Sequence, residues 1–324
     1  MNDKQGRNID YMRISITDRC NLRCKYCMPD GIEKMSMDDI LTFEEIIKVC
    51  KAAVSNGIKN IKITGGEPLA RRGCTDLVAS IKKLHGIETV TLTTNGVMLT
   101  EHLDELMASG IDGINISLDS VDEAIYKRIT GNDSLSEVLC GFKQAMKTHI
   151  PIKINTVLIT GINDNEWENI ILLARDYPVD VRFIEMMPIG YGKDFNVVSN
   201  IEILNKLKDR YVKTTRDLRR HGNGPAAYYN ITGFKGSIGF ISAIHAKFCD
   251  ECNRIRLTAT GQLKPCLCYG EAIDLREILR SQNEHEDELL KEAVERAILS
   301  KPGEHCFEAP EVMTEEAPMA QIGG

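Results

Sequence analysis

The chain predicts an α/β fold: a parallel sheet of repeated strand–helix units, followed by a smaller β-rich region with chemistry of its own. Three observations carry this. Six strand-like runs, each followed by a helical pattern, recur between residues 10 and 185, and such alternation implies parallel pairing through right-handed crossovers. After Met187-Pro188 the alternation stops, and β-rich sequence with glycines at turn positions takes over. Cysteines fall in two groups, one at 20–27 and one at 249–266.

The first strand covers about 10–17, where apolar residues alternate, and the first cysteine group hangs from its C-terminal end. Thr42 and Glu45 form a capping box that opens a helix, and Asn56-Gly57 closes it. A strand over 58–64 ends in Gly65-Gly66-Glu67-Pro68. A helix over 75–85, a strand over 88–93, a helix over 100–109 and a strand over 111–118 follow. Helical pattern spans 122–149 with a break near Gly131. A strand at 151–159, a helix at 165–176 and a sixth strand at 179–185 complete the series. Beyond it come a helix near 200–208, β-rich sequence over 226–242 and a hairpin of 254–258 with 262–267 around Thr260-Gly261. Two charged helices (272–281, 284–300) lead into a polar tail ending Gly323-Gly324.

Hydrophobic content of 43% and charged content of 27% are those of a globular protein with ample core in 324 residues. The first 19 residues lack the apolar stretch of a signal peptide, and no apolar run approaches the ~20 residues that span a bilayer. Eleven cysteines without an export signal point to a reducing, cytoplasmic setting and to metal ligation rather than disulfides. A net charge of −7 argues against nucleic-acid binding, so cations for any anionic ligand must be gathered locally.

Cys20, Cys24 and Cys27 form a C-x3-C-x2-C run with Tyr26 directly before the third thiol. Structural zinc takes four protein ligands and ordinary iron–sulfur clusters usually four cysteines. Three thiols with no fourth nearby would leave one iron of a 4Fe–4S cluster open to a ligand that is not protein. The alternative is a reduced cysteine cluster without metal. Arg13, Lys62, Lys153 and Arg182 are lone cations within strands otherwise apolar. A buried unpaired charge costs several kcal/mol, so these four either converge inward on a polyanion or pair with Glu67 or Glu185. Gly65-Gly66 permits close backbone approach at a strand end, as does an ordinary turn. Ser117 beside Asp119 is either a ligand contact or a turn residue. Cys249, Cys252 and Cys266 read by spacing alone as zinc ligands, with Cys268 or His245 as the fourth; beside the first triad a second cluster is the rival. Cys50, Cys74, Cys140, Cys268 and Cys306 otherwise read as core or incidental residues.

The C-x3-C-x-aromatic-C pattern resembles the radical S-adenosylmethionine (SAM) enzymes. The resemblance becomes specific with Cys20 to Cys27-Met-Pro, Thr64-Gly-Gly-Glu-Pro-Leu69, Thr93-Thr-Asn-Gly96, Asn115-Ile-Ser-Leu-Asp119, Lys153-Ile-Asn155 and Arg182-Phe-Ile-Glu185. It continues through Ser237-Ile-Gly-Phe-Ile-Ser242, the second cysteine group with Arg254-Ile-Arg256, and the Gly-Gly terminus. Together they resemble the GTP 3′,8-cyclase family, which opens molybdenum-cofactor biosynthesis. The resemblance implies an incomplete (β/α)6 radical SAM barrel over 1–240 and a C-terminal α+β region over 241–324 bearing a second iron–sulfur cluster.

By motif, it implies that Cys20, Cys24 and Cys27 hold one 4Fe–4S cluster, with SAM against Tyr26, Gly66, Ser117 and Met187. It implies that Cys249, Cys252 and Cys266 hold a second, and that Arg13, Lys62, Thr93, Lys153, Arg254, Ile255 and Arg256 contact GTP. Gly323, Gly324 and Arg13 are implied in catalysis, the tail passing into the site. The implied reaction is conversion of GTP to (8S)-3′,8-cyclo-7,8-dihydroguanosine 5′-triphosphate. A flavodoxin or ferredoxin as electron donor and a cyclic pyranopterin monophosphate synthase downstream are implied too; no nucleic-acid or membrane partner is, and a homodimer stays open. The chain departs from the family at Gly73-Cys74, where an acidic residue is common, and at Ala243-Ile-His-Ala246, where a proline and polar residues are usual. The rival readings are another radical SAM enzyme with an auxiliary cluster, and a non-catalytic iron–sulfur or zinc protein.

Overall fold

A computed structural model describes residues 1–31 and 35–323. The six expected strands are β1 Tyr11–Ser15, β2 Asn60–Thr64, β3 Thr89–Thr94, β4 Gly113–Ser117, β5 Ile152–Val157 and β6 Asp180–Ile184. Between them run α1 Phe43–Ser55, α2 Cys74–Lys82, α3 Leu99–Ala108, α4 Glu123–Thr130 and α5 Leu135–Ala145, then α6 Trp167–Asp176. The caps act where the residues predict them. Thr42 accepts from Glu45 N while Glu45 accepts from Thr42 N, and Gly131, at a φ of +69°, ends α4 in the left-handed conformation that glycine adopts without penalty.

Beyond β6 lie α7 Asn200–Arg210, β7 Thr214–Asp217, β8 Ala227–Ile231, β9 Ile238–Ile241, β10 Arg254–Leu257, β11 Gln262–Lys264 and β12 Ile273–Asp274. The chain closes with α8 Leu275–Arg280, α9 Glu286–Leu299 and α10 Met319–Ile322. Two expectations are corrected here. The helix expected from 272 starts at Leu275, because Ile273 and Asp274 pair with β11 instead. The tail also carries its own short helix, whose Ala320 and Ile322 are buried. β7 lacked a sequence signal: Thr214–Asp217 is polar and mostly outside the core.

The strands form one sheet ordered β12-β11-β10-β1-β2-β3-β4-β5-β6-β9-β8-β7. β1 to β6 are parallel in sequence order, β10 adds parallel to β1, and β9 adds parallel to β6. Among the described residues nothing pairs β12 with β7, so the barrel is open.

Strand period decides where the core lies, since alternate side chains take opposite faces. Ile14, Ile61, Ile63, Leu92, Ile116, Ile154 and Phe183 pack with the helices in the main apolar core. Their neighbours Arg13, Lys62, Thr93, Asn115, Lys153, Asn155 and Arg182 occupy the other face, matched in register as Arg13–Lys62, Thr93–Asn115–Lys153 and Asn155–Arg182. The cations are thus part of a polar interior face shared with Thr and Asn, rather than lone charges in strands apolar on both sides.

The N-terminal end of the barrel is crossed by the segment after β7. His221 Nδ1 lies 2.9 Å from Asp180, and Asn223 donates to Asn60 at 2.7 Å. Lys153 Nζ donates to the His221 carbonyl and ion-pairs with Asp180 at 3.2 Å.

Candidate active site

At the other end of the strands a cavity of about 300 Å³ takes its walls from both halves of the chain. Cys20, Cys24, Cys27, Cys249, Cys252 and Cys266 all line it, with Arg13, Tyr26, Gly66, Thr93, Ser117, Met187, Arg254 and Arg256. Residues more than 220 positions apart therefore face one space.

The loop after β1 is held by its neighbours. Gly66 N donates to Thr17 O and Glu67 N to Arg19 O, each at 2.7 Å, while Arg23 N and Lys25 N donate to the Thr130 and Ile129 carbonyls. A Cβ at Gly66 would stand 2.5 Å from Arg19 O and 2.7 Å from Asp18 O, so only glycine permits this approach. Glu67 is fully buried and accepts from Leu69 N, Thr94 Oγ1 and Asn95 N. Asn95 in turn donates to Cys20 Sγ at 3.7 Å. Tyr26 donates its hydroxyl to Asp119 at 2.7 Å. Burial pushes the Asp119 carboxyl up to about 6 despite that bond and one from Val157 N.

The second triad is shaped by different charges. Burial alone would raise the Cys252 thiol, yet the Arg254 and Lys301 cations outweigh it and bring it down to about 7. Lys301 is buried and donates to Arg254 O and Pro265 O at 2.8 Å each. His305 N donates to Cys249 Sγ at 3.4 Å. Sequence reading missed Lys301 and His305: a Lys and a His after a surface helix carry no periodic or spacing signal.

Neither proposed fourth zinc ligand joins this triad. His245 Nδ1 lies 2.9 Å from Glu185, and Cys268 Sγ lies against Cys306 Sγ. Among the described residues no three His, Cys, Asp or Glu side chains are placed to hold one metal ion. A cluster asks something else, each thiolate reaching a different iron.

The inward cations do not pair with Glu67 or Glu185. Glu185 accepts from Asn200 N, Ile244 N and His245 N, and the altered 243–246 segment is thereby held in place. Among the described residues, Lys153 alone of the four has a carboxylate partner, Asp180. Arg182 donates to the neutral Asn115 at 2.6 Å. Nε of Arg13, Arg182 and Arg254 are buried with no hydrogen-bond partner among the described protein atoms. Burial pulls the Arg256 guanidinium down to about 9, and Arg13 and Arg254 beside it add to the effect. Burial likewise holds Lys62 well below its usual range, with Arg182, Arg13 and Lys153 next in influence. The orphaned N–H groups of Arg13 and Arg254, both on the cavity wall, fit a multiply charged anion.

Of the four inward cations only Arg13 lines the cavity, Lys62, Lys153 and Arg182 standing behind its wall, and Ile255 turns its side chain into the apolar core, leaving only its main chain available. Gly323 reaches the barrel mouth: its carbonyl accepts from Arg256 Nη1 at 2.6 Å and from Arg13 Nη1 at 3.5 Å. Gly324 lies outside the described residues.

Residues 14–174 match the Radical SAM superfamily, and residues 179–307 match Molybdenum Cofactor Synthesis C. The chain is 44% identical to the GTP 3′,8-cyclase of Clostridium perfringens (strain 13 / Type A), over all of both chains. It is 42% identical to that of Alkaliphilus oremlandii (strain OhILAs), again over all of both. Among solved structures it is similar to Streptococcus suis SuiB bound to S-adenosylmethionine, with a TM-score of 0.64 and 16% identity over 91% of this chain and 68% of that one. That likeness shows the fold alone.

Proposed function

The chain belongs to the GTP 3′,8-cyclase family of radical SAM enzymes, and on that premise we propose which of its residues carry the reaction. It is an enzyme of the first step of molybdenum-cofactor biosynthesis, with GTP as substrate and with SAM and iron–sulfur chemistry. The finer reading assigns one 4Fe–4S cluster to Cys20, Cys24 and Cys27 and another to Cys249, Cys252 and Cys266. The observation that carries it is the single cavity lined by both triads and by Arg13, Arg254 and Arg256. When bound, the first cluster supplies the electron that splits SAM and yields the hydrogen-abstracting radical.

The chain's own residues bind, orient and exclude water. Tyr26, Gly66, Ser117 and Met187 would receive SAM, with the Gly65-Gly66 main chain offering carbonyls to accept from it, since the Gly66 N–H is already given to Thr17. Arg13, Arg254 and Arg256 would hold GTP by directed, charge-assisted hydrogen bonds, with Thr93 on the same wall and the Ile255 main chain beside them. Lys62 and Lys153 add positive potential from beyond the cavity wall. Gly323 and Gly324 would lie against the substrate, where a backbone without side chains can pass closely. Fixing the ribose this way supplies the proximity that a radical step requires and shields it from solvent. Reducing equivalents would come from a flavodoxin or ferredoxin, and a cyclic pyranopterin monophosphate synthase would consume the product.

Metal analysis after anaerobic reconstitution tests the assignment. The intact chain should hold roughly eight irons, four per three-cysteine site. Replacing Cys249, Cys252 and Cys266 together by Ala should remove about half of them and leave SAM cleavage measurable while GTP cyclisation is lost. Tightly bound zinc at the second triad in anaerobically prepared protein would overturn it.

A further inference from the structure

Two thiols that the reaction does not use face each other beside the second triad. Cys268 Sγ lies 2.9 Å from Cys306 Sγ, and Cys306 N donates to Cys268 Sγ at 3.2 Å. Cys268 is fully buried, whereas Cys306 is half-buried and so reachable from solvent. Both sit in a small apolar cluster of their own, with Ala243, Leu267, Phe307 and Ile322, apart from the main core. The two sulfurs are within about 1 Å of bonding distance, so the backbone needs little adjustment to join them.

We propose that Cys268 and Cys306 form a thiol–disulfide exchange site, taking small-molecule disulfides as reactant and locking the C-terminal tail to the loop that carries Cys266. Cys306, the accessible thiol, attacks one sulfur of the disulfide as its thiolate and expels one small thiol, leaving a mixed disulfide. Cys268 then attacks the Cys306 sulfur and expels the second small thiol. Two protein thiols become one disulfide, and the reagent's disulfide becomes two thiols, so two electrons and two protons pass to the reagent.

The position gives the bond a consequence. Cys268 lies two residues past Cys266, and Cys306 follows His305, whose N–H meets Cys249. From Cys306 the chain runs on to Gly323. That segment is already tied to the same loop by the buried Lys264–Glu315 ion pair and by Gly270 N donating to Thr314 at 2.9 Å. A covalent third tie would hold the tail near its place at the barrel mouth. The exchange itself is independent of the second-cluster reading; only its effect on that loop rests on it.

The test uses the full-length, iron-loaded chain under anaerobic conditions, with hydroxyethyl disulfide as oxidant. After exchange, free thiols are blocked with N-ethylmaleimide and peptides are read by mass spectrometry. The expected result is one cross-linked peptide joining Cys268 and Cys306, absent in Cys306→Ser and reversed by reductant, with iron content unchanged. The exposed Cys140 should carry only the mixed disulfide, as an internal control. Hydrogen exchange across 307–323 should slow severalfold in the oxidised form. Recovery of both cysteines as maleimide adducts, an unresolved mixed disulfide at Cys306, or cross-links that involve the triad cysteines with loss of iron would overturn the proposal. Iron analysis reports separately on the second-cluster reading, since a chain without that cluster would still form the bond.

Discussion

At the scale of single residues, Lys62 shows how the site stores electrostatic cost. It sits in register with Arg13 in the polar face of the sheet, and burial, followed by the charges of Arg182 and Arg13, holds its ammonium well below the ordinary lysine value. In the unfolded chain that value is restored. Between the two values the unfolded state binds more protons, so the ligand-free chain gains stability as pH rises through that window. Below the folded value both states are protonated and the full penalty stands. A Lys62→Met variant removes the charge with little loss of volume. It should be more stable than the parent at pH 7 without ligand, with an advantage that shrinks as pH approaches 10. Denaturant unfolding from pH 7 to 10 measures this, and parallel curves for the two proteins would show that Lys62 is not depressed. GTP should pull the other way in the parent, because a triphosphate favours the charged amine. Binding should then take up protons, measurable by calorimetry in buffers of different ionisation heat.

At the scale of elements, local chemistry was legible wherever it acts locally. The capping box of Thr42 and Glu45, the break at Gly131 and the six strand–helix units all rest on residues within a few positions of each other. β12 and the tail helix were hidden because each owes its form to distant partners: Ile273 and Asp274 pair with β11, and Ala320 and Ile322 fold onto the cavity end of the chain. Gly66 lies between these cases. Its Gly-Gly motif is readable, but the reason for it is the Arg19 carbonyl across the loop, which no local pattern discloses. Gly66→Ala should therefore displace the loop bearing Cys20 and Cys24 rather than merely stiffen a turn. Two backbone carbonyls within 2.7 Å of the new Cβ leave no flexible side chain to give way. The expected outcome is loss of the iron bound at the first triad and of SAM binding, with the second triad's iron retained. Unchanged iron content and SAM affinity in the variant would contradict it.

At the scale of the whole molecule, the site exists only because remote segments are fastened together. Arg7 donates to the carbonyls of Cys249 and Gly303 at 2.9 Å each and of Pro302 at 2.6 Å, and it ion-pairs with Asp3 at 2.6 Å with both side chains buried. The N-terminal arm thus clamps the second cysteine loop and the root of the tail, partners more than 240 residues away that spacing could not announce. From that root the tail returns to the barrel mouth, where Gly323 adopts a φ of +77° and offers its carbonyl to Arg256 and Arg13. The left-handed φ favours glycine, and a Cβ there would also be tight against Ser15 Cβ, at 3.2 Å. The contact joins Gly323 to two arginines that the proposed function assigns to the substrate. Deleting Gly323 and Gly324 should therefore abolish GTP cyclisation while iron content, thermal stability and GTP affinity stay close to those of the intact chain. The decisive measurement is product formation under anaerobic conditions, run beside equilibrium GTP binding. Full turnover by the shortened chain would make the tail a structural end only, and a parallel loss of GTP affinity would assign it to binding rather than to the chemistry that follows.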